Sequence, residues 1–374
     1  MRINLALYVL CAMTLLVSLA FKSFTDYQPT NDEKSTSSVP PIQQNDLSGG
    51  DSSSYREILL VTPGGDIFFS ERTGLMGFSA SSSKLTTFKE FSFVGGTPRG
   101  TAIVAGLMGK IREVTATGEV KWETQISSPT AGAAVSSTGE LYIAGGASLY
   151  AFSSDHRKLW QWDYPVEPNT YPEVVLQYVC VDSNGTIYVQ TDYGKVVALD
   201  SSGKLLWQIK VGSHWALLSP LMVDPHGEIY FCDGRELSAI SREGAILWQY
   251  RIPVDPSSSF GLQLVPVISS DGDIYIARKS LFSIAPDGKD RWRFHPDTPD
   301  EYFETAPTIG KDGTVYLFSS AKRYGRMYAV SRDGKKLWSY QFHENEYGNR
   351  PARFGPDGLL WKANSNGFLV FSVR

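Results

Sequence analysis

Short runs of alternating apolar and polar residues, each ended by turn-forming residues, follow one another from about residue 55 to the C-terminus. Between residues 176 and 210, the runs LQYVCVD, TIYVQTD, VVALD and KLLWQIK are separated by SNG, YGK and SSG. Alternation with a period of two is typical of half-buried strands, and Asn-Gly or Ser-Gly pairs suit tight hairpins. The pattern therefore predicts four antiparallel strands in this stretch.

Two anchors repeat in step along the chain. The first is glycine, a variable residue, an aliphatic and usually an aromatic, at Gly65, Gly139, Gly185, Gly227, Gly272, Gly313 and Gly358, with a weaker match at Gly100. The second is a glycine followed four residues later by tryptophan, as in SGKLLW, EGAILW, DGKDRW, DGKKLW and TGEVKW. The first anchor recurs at gaps of 35, 39, 46, 42, 45, 41 and 45 residues. Such a period marks a repeat architecture.

Eight units of four strands, without a convincing helix in the body, predict an all-β fold: an eight-bladed β-propeller of four-stranded antiparallel blades. A seven-bladed propeller is the alternative if the second unit is degenerate. Tryptophans on the last strand of a unit suit packing between blades, since large flat side chains fill the wedge between neighbours. This structural role is predicted for Trp122, Trp160, Trp207, Trp248, Trp292 and Trp338.

The ends of the array are irregular. Unit one has Phe88 near the tryptophan position, and unit eight stops where a fourth strand should begin. Closure is expected to need an N-terminal segment around residues 45–57 that pairs with blade eight. An open or three-stranded last blade is the alternative.

The N-terminus predicts export. Residues 3–21 are uncharged, and this stretch is long enough for one hydrophobic helix. The positive charge of Arg2 before it predicts that the N-terminus lies inside. Residues 1–22 are read either as a membrane anchor or as a cleaved signal peptide, because Ser18–Ala20 fits a cleavage site. Leu10 before Cys11 argues against lipid attachment. Residues 23–54, rich in Ser, Pro and Gly, are predicted to be a flexible linker, and residues 55–374 the propeller.

Charge and composition exclude several classes. The net charge is −4 and there is no Lys/Arg-rich run, so the sequence lacks the positive charge that nucleic-acid binding requires. Cys180 and Cys232 lie in strand-like runs and are expected to be buried thiols, although a disulfide stays open. The five histidines are scattered without metal-ligand spacing, so no metal site is predicted. The propeller is expected to be a monomer.

One face of the predicted propeller carries the second-to-third-strand loops and the long connections between blades. Binding residues usually lie on loops of a rigid scaffold, so this long-loop face is the predicted contact surface for a protein or glycan partner. The candidates are aromatic, acidic and amide residues: Tyr171, Asp192, Trp215, Phe260, Tyr302, Phe303, Glu304, Tyr347, Asn349 and Arg350.

The phrases ALDSSGKLLW, AISREGAILW, SIAPDGKDRW and AVSRDGKKLW resemble the tryptophan-docking motif of pyrroloquinoline-quinone-type (PQQ-type, quinoprotein-type) propellers. Their turn is one residue shorter and lacks the Thr before the Gly, so the chain is more similar to the non-enzymatic PQQ-like repeat proteins. That branch includes a propeller lipoprotein of outer-membrane assembly, whose lipid signal is missing here.

The resemblance implies a non-catalytic binding or scaffold protein, membrane-held outside the cytoplasm or secreted. The alternative is a PQQ-dependent dehydrogenase, whose adjacent cysteines this chain lacks. We therefore predict no cofactor. A propeller glycan lyase or glycosidase is a further enzymatic alternative, because acids on the long-loop face could serve it.

Overall fold

The computed structural model describes thirteen stretches of the chain. The described residues are 43–46, 57–71, 74–79, 81–82, 84–165, 174–212, 219–253, 265–303, 305–321, 324–342, 352–355, 358–363 and 367–373. The N-terminal hydrophobic segment and most of the predicted linker lie outside them. Within the described ranges, no helix has the length and apolar character needed to span a membrane.

The first strand, β1, spans Gln43–Asp46. Blade 1 contains β2 (Glu57–Val61), β3 (Ile67–Glu71), β4 (Gly74–Ser79) and β5 (Lys84–Phe88). Blade 2 contains β6 (Phe91–Gly96), β7 (Ala102–Gly106), β8 (Lys110–Val114) and β9 (Val120–Gln125), with a 3-10 turn at Leu107–Gly109. Blade 3 contains β10 (Thr130–Val135), β11 (Leu141–Gly145), β12 (Ser148–Phe152) and β13 (Lys158–Asp163). Blade 4 contains β14 (Leu176–Val181), β15 (Ile187–Thr191), β16 (Lys195–Leu199) and β17 (Leu205–Lys210).

Blade 5 contains β18 (Met222–Val223), β19 (Ile229–Cys232), β20 (Glu236–Ile240) and β21 (Ile246–Arg251). Blade 6 contains β22 (Val267–Ile268), β23 (Ile274–Ala277), β24 (Leu281–Ile284) and β25 (Asp290–Phe294). Blade 7 contains β26 (Tyr302–Phe303), β27 (Thr308–Ile309), β28 (Val315–Ser320), β29 (Gly325–Val330) and β30 (Lys336–Phe342). Blade 8 contains β31 (Arg353–Phe354), β32 (Leu360–Ala363), β33 (Gly367–Phe371) and, as its fourth strand, β1.

These eight antiparallel sheets are the blades of an all-β, eight-bladed propeller, which confirms the predicted fold class. The seven-bladed alternative is wrong, because the second unit forms a full four-stranded sheet. The chain divides into two compact units. Unit 1 holds residues 1–89, 114–119 and 296–374, with blades 1, 7 and 8, and unit 2 holds residues 90–113 and 120–295, with blades 2 to 6.

Blade 8 is completed by the N-terminal part of the chain, as the missing last strand predicted. Strand β1 pairs antiparallel with β33, with Gln43 opposite Val370 and Asp46 opposite Gly367. The pairing segment overlaps the start of the predicted 45–57 window at Asn45 and Asp46 and lies within the stretch read as a linker. The open and three-stranded alternatives for blade 8 are therefore wrong.

In blades 3 to 7, the two sequence anchors meet inside the blade. The aromatic residue of the second strand packs against the tryptophan of the fourth strand, at centroid distances between 5.8 and 6.0 Å. The pairs are Tyr142–Trp160, Tyr188–Trp207, Tyr230–Trp248, Tyr275–Trp292 and Tyr316–Trp338. In blade 1, Thr86 lies opposite Gly77, and the ring of Phe88, two residues further on, packs against Phe68 with centroids 6.1 Å apart. Phe88 thus lies near the tryptophan position, as the sequence predicted.

Candidate functional site

In unit 2, the tryptophan of one blade contacts the glycine turn of the next. The indole Nε1 of Trp160 donates to the carbonyl of Ser201 at 2.9 Å, and Trp207 does the same to Arg242 at 2.7 Å. A Cβ at Gly203, whose φ is +84°, would lie 2.8 Å from the Trp160 ring. Glycine is needed here both for the backbone conformation and for the close approach. These indoles are therefore engaged in packing between blades.

Seven of the ten predicted contact residues lie outside the described residues. These are Tyr171, Trp215, Phe260, Glu304, Tyr347, Asn349 and Arg350. Their role on the long-loop face stays a prediction. The structure places Asp192 in unit 2 and the neighbours Tyr302 and Phe303 in unit 1.

Asp192 fixes the chain that enters blade 4. Its Oδ1 accepts a hydrogen bond from the Val175 amide at 3.1 Å, and its own amide donates to the Val175 carbonyl at 3.0 Å. This reciprocal pair holds the incoming connection against the end of β15. Asp192 therefore shapes the loop in addition to any contact with a ligand.

Tyr302 and Phe303 form the short strand β26, which pairs with Ser319 and Ser320 at the end of β28. Successive strand residues point to opposite faces. Phe303 is accordingly buried, with its ring edge-on to Tyr328 at 5.8 Å, whereas Tyr302 is 42% exposed. Of this predicted pair, only Tyr302 has an exposed side chain.

The carboxylate at the centre of this region is Glu301, which sequence reasoning missed in favour of Glu304. Its side chain is fully buried and accepts four short hydrogen bonds. They come from Arg326 Nη1 at 2.7 Å, Thr298 Oγ1 at 2.8 Å, and Ser319 Oγ and Tyr328 OH at 2.6 Å each. Burial raises the pKa of Tyr328, and the bond to Glu301 adds to the rise. Sequence alone could not identify Glu301, since the register of β26 decides that its side chain turns inward.

A second carboxylate extends this network to the outer strand of blade 7. Asp297 accepts from Lys336 Nζ at 2.7 Å and from Arg326 Nη1 at 3.4 Å. Arg326 also donates to Gln341 at 2.9 Å. The charges of this cluster satisfy one another, so it fixes the connection into blade 7 and holds Tyr302 in place.

The outermost strands of blades 4 and 5 each expose two consecutive aliphatic side chains. These four residues, which we call the rim patch, are Leu205, Leu206, Ile246 and Leu247, exposed by 38%, 49%, 41% and 46%. On the neighbouring blades one residue of the pair is a cation: blade 6 has the exposed Arg291 at the second position, and blade 3 has the exposed Lys158 at the first position, followed by Leu159, which is 51% exposed. Within unit 2, blades 4 and 5 are therefore the blades whose pair contains no charged residue.

Blade 2 and blade 3 meet differently from the later blades. Trp122 stacks on the imidazole of His156, with centroids 4.6 Å apart and planes 10° from parallel. The ring nitrogen Nε2 of His156 lies 2.5 Å from the buried carboxylate of Glu113. A small cleft adjoins this pair. No predicted contact residue lies here, although both positions break the repeat visibly in the sequence.

The two cysteines in the described ranges are not joined by a disulfide. Cys180 and Cys232 are free thiols on different blades, and burial raises the pKa of Cys180 to about 12 and that of Cys232 to about 11. Thiols held protonated in this way are poor metal ligands. Among the residues that the structure describes, no three His, Cys, Asp or Glu side chains are grouped to hold a metal ion.

Comparison with known families gives one match. The model of the family described as outer membrane protein assembly factor BamB, a PQQ-like repeat, matches residues 69–214, 157–281 and 233–354. Together these segments cover more than half of the chain. No curated protein matches the sequence.

Solved structures share the fold at low sequence identity. The Dos1 propeller has a TM-score of 0.64 at 9% identity, covering 89% of this chain and 95% of its own. BamB from Moraxella catarrhalis has a TM-score of 0.55 at 18% identity, covering 85% and 98%. A streptogramin B lyase has a TM-score of 0.53 at 15% identity, covering 88% and 96%. At these identities the likeness concerns the fold alone, and it includes both a lyase and an assembly factor.

Proposed function

This chain belongs to the PQQ-like repeat family described as outer membrane protein assembly factor BamB, and we propose that it is a scaffold that binds a protein partner outside the cytoplasmic membrane. The proposed location rests on the uncharged stretch of residues 3–21 after Arg2. The proposed binding does not depend on a quinone cofactor. The observation that carries the proposal is the rim patch.

The rim patch is an exposed apolar surface on strands that have a free edge. β17 and β21 are the last strands of their sheets, so each pairs within its blade on one side only. Soluble proteins normally protect such edges with charge, because unpaired backbone groups template pairing with another chain. Blades 2 and 6 follow that rule with Lys121 and Arg291, and blade 3 follows it with Lys158 before the exposed Leu159, whereas the pairs of blades 4 and 5 contain no charge.

Exposed aliphatic residues on both faces of an edge strand suit an extended polypeptide as partner. A strand added to β17 or β21 would gain backbone hydrogen bonds, and Leu206 and Leu247 would be covered by its side chains. Contiguous apolar surface of this kind marks interaction sites. A protein partner is therefore favoured over a glycan.

The test introduces a photo-crosslinking amino acid at position 206 of the full chain expressed in its native host, with position 337 as control. Leu337 occupies the same repeat position in blade 7 and is 47% exposed, but Lys336 precedes it. We expect a discrete crosslinked protein from position 206 that disappears when Leu247→Lys is added, and no such species from position 337.

The lysine substitution should be tolerated by the fold, because Lys121 occupies the equivalent position in blade 2. Equal crosslinking from positions 206 and 337, or a product that survives Leu247→Lys, would show that the rim patch is not the contact surface.

A further inference from the structure

Two residues of unit 2 depart together from the blade repeat. Nine residues before the tryptophan, blades 3, 4 and 5 have Ala151, Ala198 and Ala239, whereas blade 2 has Glu113. Four residues before the tryptophan, the other blades of unit 2 have glycine, whereas blade 3 has His156. The two exceptions contact each other across the junction of blades 2 and 3.

The pair is held at both ends. His156 Nε2 lies 2.5 Å from Glu113 Oε2, with 4% of the Glu113 side chain and 21% of the His156 side chain exposed. The second carboxylate oxygen accepts a hydrogen bond from the hydroxyl of Thr101, which in turn lies 2.6 Å from the hydroxyl of Thr97. A carboxylate fixed in this way sets both the orientation and the tautomer of the imidazole.

The ring is also held from its face and through its backbone. Trp122 stacks on it, and His156 has a φ of +68°, in the left-handed region that Gly203 and Gly244 occupy in the next blades. A side chain at such a φ is uncommon, and strained positions of this kind concentrate at functional sites. The conformation is kept here although glycine is the residue used elsewhere in unit 2.

A cleft of about 100 Å³ adjoins the pair. Its walls include the apolar side chains of Ile103, Val135 and Leu141, and its mouth includes the exposed residues Arg99 and Thr138. Engineered apolar cavities of about 150 Å³ hold benzene, so this space admits a group of a few heavy atoms. The cleft thus brings a small molecule beside the imidazole.

Blade docking does not require the pair. At the junction of blades 3 and 4, Trp160 lies opposite Ala151 and packs on the glycine turn of Gly203, and this contact involves no charged side chain. Replacing a buried ion pair with small or apolar residues is often neutral for stability. A buried carboxylate and an oriented imidazole, which the junction of blades 3 and 4 does without, lie beside a cleft, and together they are the parts of a proton-transfer site.

We propose that His156 is a general base that hydrolyses small esters in this cleft, with Glu113 as its positioning residue. When Nε2–H donates to Glu113, the lone pair of the neutral ring lies on Nδ1, which has no hydrogen-bond partner among the described residues. Nδ1 accepts a proton from water while the water oxygen bonds to the ester carbonyl carbon. The carbon–oxygen bond to the alcohol then breaks, and the proton on Nδ1 passes to the leaving alkoxide.

The remaining charges near the cleft are paired elsewhere. Arg99 donates to the Ser154 carbonyl at 2.9 Å, Arg157 pairs with Asp155, and Arg112 pairs with Glu123. None of them competes with His156 for Glu113. This activity is independent of the rim patch, which lies on blades 4 and 5, so either proposal can fail without the other.

The test compares the full chain with the double variant Glu113→Ala, His156→Gly, using p-nitrophenyl acetate and water. The double variant restores the residues used at the next junctions and keeps the other four histidines, so it measures background catalysis in a folded propeller. A general base contributes about 100-fold to 10,000-fold, and we expect kcat/KM to fall by at least about 100-fold. Acetate should react faster than the longer p-nitrophenyl hexanoate because of the cleft volume.

The positioning role of Glu113 has a separate readout. In Glu113→Gln the ring loses its anionic partner, so we expect a lower kcat and a shifted pH–rate profile with little change in KM. Equal rates for the wild-type chain and the double variant would overturn the proposal. It would also fail if the rate of the wild type did not fall on acidification, because a protonated imidazole cannot accept a proton.

Discussion

The junction between blades 2 and 3 and the junction between blades 3 and 4 solve one packing problem with different residues. Between blades 3 and 4, the Trp160 ring packs on Gly203 and donates a hydrogen bond to a turn carbonyl. Between blades 2 and 3, the Trp122 ring packs on the imidazole of His156, which is bound to the buried Glu113. The comparison shows that a repeat can keep its docking tryptophan while the residues it contacts change, which leaves one junction free to carry polar chemistry.

The largest loss of folding stability is expected from removing a docking tryptophan at the junction of blades 4 and 5. Trp207→Ala removes the contact with Tyr188 and the hydrogen bond to the Arg242 carbonyl. Large-to-small substitutions of tryptophan in packed regions cost about 3–5 kcal/mol. Guanidinium-induced unfolding should show this loss, with the exposed neighbour Leu206→Ala as control. A loss below about 1 kcal/mol would mean that the tryptophan does not hold the blades.

A smaller loss is expected when the turn itself is altered. In Gly203→Ala the residue keeps a φ of +84° and its Cβ meets the Trp160 ring at 2.8 Å. The left-handed conformation costs about 1–2 kcal/mol for a residue with a Cβ, and the crowding adds to it, for a total of about 2–3 kcal/mol.

Gly64→Ala is the matched control for this turn, because the nearest atom to its Cβ lies 3.9 Å away and no left-handed φ is involved. Thermal melting of both variants measures the difference. Equal melting temperatures would refute the requirement for glycine at position 203.

At the junction of blades 2 and 3, a single substitution should lower the folding stability, and a second substitution should restore most of it. His156→Gly leaves the buried Glu113 carboxylate with Thr101 as its remaining partner, which costs about 3 kcal/mol, while relief of the left-handed backbone returns about 1 kcal/mol. The expected net loss is about 2 kcal/mol. Adding Glu113→Ala removes the stranded charge and should recover most of that loss. A double-mutant cycle by urea unfolding checks the coupling, and simple additivity would contradict the pairing.

The architecture could be predicted from the sequence because the repeated residues determine local structure, namely turns and strands. The Asp-Gly and Ser-Gly turns and the Gly–Trp spacing locate the strands, and the absence of a fourth strand after Phe371 predicted the pairing later found for β1. Sites were harder. Glu301 lies in an acidic stretch, and its burial depends on the pairing of Tyr302 and Phe303 with β28. Glu113 and His156 break the repeat at readable positions, but their contact depends on how neighbouring blades dock.

The smallest effect distinguishes the junction of blades 4 and 5, which contains Tyr188, from the junction of blades 2 and 3 by the pH dependence of stability. Burial, and next the charge of Asp182, raise the pKa of Tyr188 to about 12, and its hydroxyl donates to Asp182 at 3.2 Å. An unfolded tyrosine has a pKa of about 10. Because the folded pKa is the higher one, the stabilisation is complete below pH 10 and is lost as the pH rises from 10 towards 12. Blade 2 has Ile103 at the equivalent position and contributes no such loss.

Tyr188→Phe should therefore cost about 1 kcal/mol at pH 8, where the hydrogen bond is intact. The difference from wild type should shrink or reverse at pH 11, since ionisation then favours the unfolded wild-type chain by up to about 1.4 kcal/mol per pH unit. Using the difference between the two proteins cancels the contributions of Tyr230 and Tyr316, whose pKa values burial also raises. Urea unfolding of both proteins at pH 8 and pH 11 measures it. A difference that stays constant between these pH values would show that Tyr188 keeps its ordinary acidity, and the tyrosine-containing junctions would then respond to alkali no differently from the junction of blades 2 and 3.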